Sequence, residues 1–290
     1  MKKIRGSLML ALAALIWGNA FVAQSVGMDH VGPWTFNCIR SLIAGVTLLI
    51  LMPLLDHVRG GKQKGDPAVL WKGGILTGIV LCAASMFQQT GIQYTTVGKA
   101  GFLTALYTVI VPLLGIFMER KTRKTVWICV LISIIGMYLL TVKKGFAFSR
   151  GDLLILICAF LFAVHILVID RYGPDTDGVR LSCIQFFTAG VLSLVPMLVL
   201  EHPSLSDITA AGAPILYAGI LSSAGGYTLQ ILGQKDTEPA VASMLLSMES
   251  VFAALAGFLF LHQTMSLREI TGCAMIFTAV ILAQLPQRKA

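Results

Sequence analysis

The sequence predicts an all-α integral membrane protein, with ten transmembrane helices in two inverted five-helix repeats. Three observations predict it. The 290 residues are 56% hydrophobic and only 12% charged, with a mean hydropathy of +0.82, whereas about a quarter of a water-soluble domain is charged. Apolar runs close to the roughly 20 residues that a spanning helix needs follow one another almost end to end. The second half of the chain also repeats a pattern of Cys, Gln, Gly and Thr found in the first. This composition leaves no length for a soluble enzyme or nucleic-acid-binding module; the expected partners are the lipid bilayer and a small-molecule substrate, with no nucleic acid.

The runs, bounded by charges, Gly or Pro, cover residues 7–27, 34–55, 71–92, 98–118, 125–142, 152–169, 178–200, 213–233, 239–261 and 268–285. The first has the basic start and apolar core of a signal peptide. It continues through Phe21, Val22 and Ala23 and is followed by further spans, which makes it the first membrane helix. The third opens on Gly74 and Gly78, a small-xxx-small spacing that predicts close helix packing. The fourth contains Pro112, expected to kink that helix alone, because the matching position in the second half is Ala254. Cys38, Cys82, Cys129, Cys158, Cys183 and Cys273 all fall within apolar runs and at no metal-ligand spacing, so they are expected to be small core residues. No metal and no cofactor is expected.

Orientation follows from the basic residues, because Lys and Arg resist translocation. With the N-terminus cytoplasmic, sixteen lie on the inner side: Lys2, Lys3, Arg5, Arg59, Lys62, Lys64, Lys72, Arg120, Lys121, Arg123, Lys124, Arg171, Arg180, Lys235, Arg288 and Lys289. Only five fall outside: Lys99, Lys143, Lys144, Arg150 and Arg268. The expectation is a multi-pass protein of the cytoplasmic membrane with both termini inside.

At an offset of 145 residues, Cys38, Ala44, Gly45, Val46 and Met52 meet Cys183, Ala189, Gly190, Val191 and Met197. At an offset of 142, Gln88, Gly91, Thr95, Ala100 and Leu103 meet Gln230, Gly233, Thr237, Ala242 and Leu245, and the match runs on to Ile128 and Ile270. The predicted units are residues 1–145 and 146–290. Five helices is an odd number, so the second copy enters the membrane from the opposite side, and the copies are related by a pseudo-two-fold axis in the membrane plane. A site at their interface can face either side as the halves rock.

Ala14 through Phe21 (ALIWGNAF), Arg40 in the second span and Met248 through Leu255 (MESVFAAL) resemble the EamA-type branch of the drug/metabolite transporter superfamily. The resemblance covers nearly the whole chain. It implies a transporter of small organic metabolites, often amino acids or related compounds and often in the export direction. The family's ninth-helix motif usually reads Glu-Pro; Ser250 follows Glu249 here.

With about 1.5 Å of rise per residue, Asn19, Tyr107 and Glu249 fall near the bilayer midplane, Arg40 roughly 9 Å below the outer edge and His165 roughly 20 Å below it. A carboxylate at the midplane is costly enough to face a cavity and to pair with a cation or a proton, so Glu249 is the candidate for a substrate amine or a coupling proton, against a structural helix-to-helix hydrogen bond. Arg40 keeps its charge and needs an anion. A substrate carboxylate, a bridge to Glu249 and snorkelling to the outer surface all remain open for it. Ser85 and Gln88 correspond to Tyr227 and Gln230, each pair spaced i, i+3 on one helical face, and are expected to line the cavity near its two ends. Tyr107 occupies the place of Glu249 in the first half, and Trp17 lies near the midplane; both can wall an organic substrate or simply pack. His165 is a candidate proton relay, against a hydrogen-bonded packing role.

Together these residues favour a secondary transporter working by alternating access, driven by a proton gradient or by exchange, since no phosphate-binding loop is present. Two other classes compete. An integral-membrane enzyme would need a nucleophile-base pair or a metal set, and His30, His57, His165, His202 and His262 are scattered singly. A passive channel would show filter loops or charged rings. Neither signature is present, and an enzyme is not expected.

Overall fold

The computed structural model describes residues 2–58, 65–95, 97–118, 122–141, 149–260 and 265–285. Among these residues nine helices are long and apolar enough to cross a membrane, and Pro239–Leu255 is a shorter tenth. The spans are built from α1 (Lys2–Gly27), α2 (Pro33–Val58), α3 (Pro67–Ile92), α4 (Val97–Ala105), α5 (Tyr107–Phe117), α6 (Lys124–Thr141), α7 (Arg150–Tyr172) and α8 (Gly178–Pro196). They continue with α9 (Leu205–Ala210), α10 (Gly212–Leu216), α11 (Thr228–Gln234), α12 (Pro239–Leu246), α13 (Glu249–Phe260) and α14 (Leu267–Gln284). Wider π-helical turns, Met197–Glu201 and Tyr217–Tyr227, extend α8 and join α10 to α11. The surface between the span ends carries large apolar side chains such as Ile50, Phe117 and Val195, as lipid contact requires. Of the basic residues that set the expected orientation, Arg59, Lys62, Lys64, Arg120, Lys121, Lys143, Lys144, Arg288 and Lys289 lie outside the described residues, as do His262 and the expected junction between the halves.

Local chemistry fixes where helices begin. Asp66 accepts the Ala68 amide at 2.8 Å ahead of Pro67, and Asp177 accepts the Val179 and Arg180 amides at 2.9 and 3.1 Å, satisfying first-turn donors that have no partner inside the helix. Capping boxes open α7 (Ser149, Asp152), α9 (Ser204, Asp207) and α14 (Ser266, Glu269). Asp207, outside the spans, is held below the usual carboxylate range by the Ser204 hydroxyl and amide.

The packing obeys the two-fold relation. Helix α3 lies along α7 as α10 and α11 lie along α1; α2 pairs with α8, and α6 with α14. Matched residues make matched contacts. Cys38 Sγ reaches Gly190 O at 3.4 Å and Cys183 Sγ reaches Gly45 O at 3.5 Å. Glu201 accepts the Trp34 and Thr35 amides at 2.9 and 2.7 Å, closing α8 onto the start of α2. At the other end of the same helix pair, Asp56, 145 positions before Glu201, takes both ends of the Arg180 guanidinium at 3.1 and 2.5 Å. Gly74 and Gly78 face Ile184 and the Gln185 carbonyl on α8, the close packing their spacing predicts.

One crossing departs from the symmetry. On the face opposite the N-terminus, Gly91 of α3 meets Gly151 of α7; on the N-terminal face, their matches Gly233 and Gly6 meet in the same way. Around the first crossing, fully buried Asp152 takes Lys99 Nζ at 2.6 Å and Thr95 Oγ1 at 2.7 Å. At the second, Ser7 and Val241 stand where Asp152 and Lys99 would be, and the matching Thr237 hydroxyl is buried with no partner. The distal crossing carries an ion pair, and the matched positions of the N-terminal crossing, Ser7 and Val241, are uncharged.

The fourth span differs from expectation. Its break comes at Leu106 rather than Pro112, which lies inside α5, and the ninth span breaks at the corresponding Ser247–Met248. Both breaks are turns of tighter i to i+3 bonding, Val109 N to Leu106 O at 2.9 Å and Ser250 N to Ser247 O at 3.3 Å. The discontinuity is therefore symmetric, and it precedes Tyr107 and Glu249 directly.

Two outcomes check this packing. A Cβ at Gly151 would sit 2.7 Å from Gly91 O, whereas one at Gly212 meets nothing within 4 Å. Gly151→Ala should therefore lower the melting temperature in detergent, by about 1–3 kcal/mol of overpacking, while Gly212→Ala leaves it unchanged. Lys99→Gln should weaken the distal crossing by on the order of 2 kcal/mol, the scale for unpairing a buried charge, so that hydrogen exchange in residues 149–158 accelerates about thirtyfold while residues 2–10 are unaffected.

Candidate functional site

The two helix breaks, together with residues of α1, α2, α3, α7 and the π-helical turn, line a cavity in the interior of the bundle. Seven of the residues singled out from sequence line it: Trp17, Arg40, Gln88, Tyr107, Tyr227, Gln230 and Glu249. Phe21 and Phe162 supply further aromatic wall.

Glu249 opens α13 at the break, 4% exposed. Tyr107 opens α5 and donates from Oη to Glu249 Oε1 at 3.3 Å. These two are matched residues, 142 positions apart, and a residue that touches its own match must lie at the symmetry axis. The next residue in each half, Thr108 and Ser250, carries a buried hydroxyl with no partner.

Arg40 is 5% exposed, so it does not snorkel to the outer surface. Its Nε and Nη2 donate to Asn37 Oδ1 at 3.2 and 3.0 Å, and Asn37 Nδ2 donates to Ser193 Oγ at 2.9 Å. Among the described residues no carboxylate forms an ion pair with Arg40, and Glu249 is not bridged to it. The cavity lining thus carries a buried cation and a buried acid that do not pair with each other.

The aromatic wall is tied together. Trp17 donates from Nε1 to Ser222 O at 3.1 Å and stacks at a tilt on Tyr227, with centroids 4.6 Å apart. Tyr227 also takes Phe186 and His165 edge-on at 5.5 and 5.8 Å. Gln88 Nε2 donates to Thr104 Oγ1 at 3.3 Å, while Gln230 Oε1 and Gln24 Oε1 are buried in the wall without partners.

Three sequence candidates sit elsewhere. Asn19 donates to Leu15 O on its own helix at 3.1 Å and does not line the cavity, because its angular position turns it aside from the face that bears Trp17, Ala20 and Gln24. Ser85 is buried in α3 outside the lining, one turn from Gln88. His165 lies one layer behind the wall, fully buried, with Nε2 at 3.2 Å from Gln185 Oε1 and Nδ1 unpartnered. Sequence reasoning missed Gln24, Asn37, Thr104 and Ser222. Asn37 carried a signal, since it stands one turn before Arg40 on the same helix.

The chain matches the EamA-like transporter family twice, over residues 4–142 and again over 149–285. It is 30% identical over 290 residues to an uncharacterised transporter of Archaeoglobus fulgidus, covering 98% of this chain and 87% of that one. It is 25% identical to the uncharacterised inner membrane transporter YedA of Escherichia coli, covering 93% and 88%. A solved crystal structure superposes with a TM-score of 0.78 at 18% identity over 96% of both chains, a likeness of fold.

The Tyr107–Glu249 contact gives a direct check. In a double-mutant cycle of Tyr107→Phe and Glu249→Gln, followed by unfolding of the detergent-solubilised protein, the two changes should be non-additive by about 1 kcal/mol or more. Additive effects would mean that the two side chains do not interact.

Proposed function

The chain belongs to the EamA-like transporter family, and from that premise we propose that it is a secondary carrier that moves a small organic zwitterion, an amino acid or related compound, by alternating access. It is a multi-pass membrane transporter; the substrate, the coupling and the direction are the proposal. The observation that carries it is that Arg40 and Glu249 line one cavity without pairing with each other. A buried charge with no protein counter-charge is unfavourable unless a ligand or a proton supplies one. A substrate carboxylate suits Arg40, whose planar fork matches it. The substrate amine suits Glu249, and a proton replaces it when the amine leaves. Trp17, Tyr107 and Tyr227 then face the organic body.

The position of Glu249 at the pseudo-two-fold axis supports alternating access, because a group there is equally placed for either side as the halves rock. The basic residues support a cytoplasmic N-terminal face. The Lys99–Asp152 ion pair at the distal crossing, with uncharged Ser7 and Val241 at the matched positions, supports loading from the cytoplasm and export in exchange for protons, since a crossing without that pair opens at lower cost.

Purified protein in liposomes loaded with a mixed amino-acid pool should release part of that pool when an inward proton gradient is imposed. Arg40→Ala and Glu249→Gln should each reduce that release by about tenfold or more. Release unchanged in both variants would overturn the proposal.

A further inference from the structure

Arg40 enters the cavity from the eighth residue of the α2 run that Pro33 begins, and its guanidinium is held on one side by a neutral amide. Asn37, 1% exposed, accepts from both Nε and Nη2 through the same oxygen, Oδ1. Its other end is fixed in turn: Nδ2 donates to Ser193 Oγ at 2.9 Å, and Ser193 Oγ donates to Ala189 O at 2.8 Å. Cys82 Sγ lies 3.4 Å from the same hydroxyl. The amide cannot flip without aiming its NH2 at the guanidinium and losing three hydrogen bonds. The relay therefore runs from the α8 backbone through Ser193 and Asn37 to Arg40, and it crosses from the second half of the chain to the first.

Resting on the carrier reading above, we propose that Asn37 is a positioning residue for the substrate anion: it orients Arg40 and leaves its charge unspent. A buried guanidinium is ordinarily paired with a carboxylate. Aspartate has nearly the shape of asparagine and would accept the same two bonds more strongly, so a purely structural role would favour it. An acid at this position would instead neutralise Arg40 before the substrate arrives. Asn at 37 aims the fork at no cost in charge, and the remaining donor capacity of Arg40 is directed to the cavity that it lines. The matched pair in the second half is Ser182 and Gln185. It carries no charge, so the cavity has one anion-binding side.

The test compares two pools in proteoliposomes: the amino acids, and the amines that correspond to them without the carboxylate. Uptake of each by counterflow is read by mass spectrometry for native protein, Arg40→Ala, Asn37→Asp and Ser193→Ala. Native protein should prefer the amino acids. Asn37→Asp should keep the native melting temperature, raise KM for the amino acids about tenfold and shift preference toward the amines, as Arg40→Ala does. Ser193→Ala, which frees the far end of Asn37, should raise KM by a smaller factor and keep the preference. If Arg40→Ala removes the preference while Asn37→Asp transports like native protein, the positioning role is overturned and the carrier reading stands. If Arg40→Ala changes nothing, or neither pool is taken up by native protein, the carrier reading fails and the positioning role with it. Should Asn37→Asp not fold, Ser193→Ala decides, a native KM overturning the relay.

Discussion

An arginine and a glutamic acid buried in one apolar interior, lining the same cavity and yet not paired with each other, are the constraint on which the rest of this structure depends. Each would be strongly unfavourable in hydrocarbon, and an ion pair between them would be the simplest relief. The chain instead gives each a neutral partner, Asn37 for Arg40 and Tyr107 for Glu249. Neutral partners supply hydrogen bonds without cancelling charge, so the interior retains an electrostatic demand that a ligand of matching chemistry or a proton can meet. Holding such a site requires rigid neighbours. The Gly-to-Gly crossings, the paired Cys-to-carbonyl contacts of α2 and α8, and the carboxylate clasps at both ends of that pair provide them.

Inverted symmetry makes the scaffold nearly the same from both sides, and its departures are where the chemistry lies. Arg40 faces Gln185 as its match, Glu249 faces Tyr107, and Asp152 and Lys99 face Ser7 and Val241. The first two departures give the cavity its charge and its polarity. The third places an ion pair at one crossing and uncharged residues at the other, a difference that, under the proposed alternating access, biases which side is favoured when the site is empty.

Much of this was legible in the sequence because membrane burial writes a strong signal. Span positions followed from length and hydropathy, and the repeat from residues that contact across it, Cys38 with Gly190 and Gly91 with Gly151 being typical. Cavity residues were legible where a polar group is unaffordable elsewhere, as with Arg40, Gln88, Gln230 and Glu249. Asn19, Ser85 and His165 were not separable by that logic. Asn19 bonds its own helix backbone and His165 bonds Gln185 behind the wall, and for each of the three a turn of rotation decides whether it faces the cavity. The breaks at Leu106 and Met248 were also hidden, since the bonds that define them are between backbone groups and carry no side-chain signature. Asn37 was readable only as a residue one turn from an arginine; its role depends on Ser193, 156 positions away.

Reciprocal opening of the two crossings is what the proposed alternating access requires most directly. Spin labels at Tyr94 and Asp170 would not span a crossing, but pairs at Tyr94 and Arg150 on the distal face and at Ser7 and Asp236 on the N-terminal face do, and pulsed electron paramagnetic resonance would give both distances in the same lipid. On addition of the amino-acid pool, alternating access predicts that one distance distribution lengthens as the other shortens. Distances that stay fixed, or that change in the same direction, would contradict it.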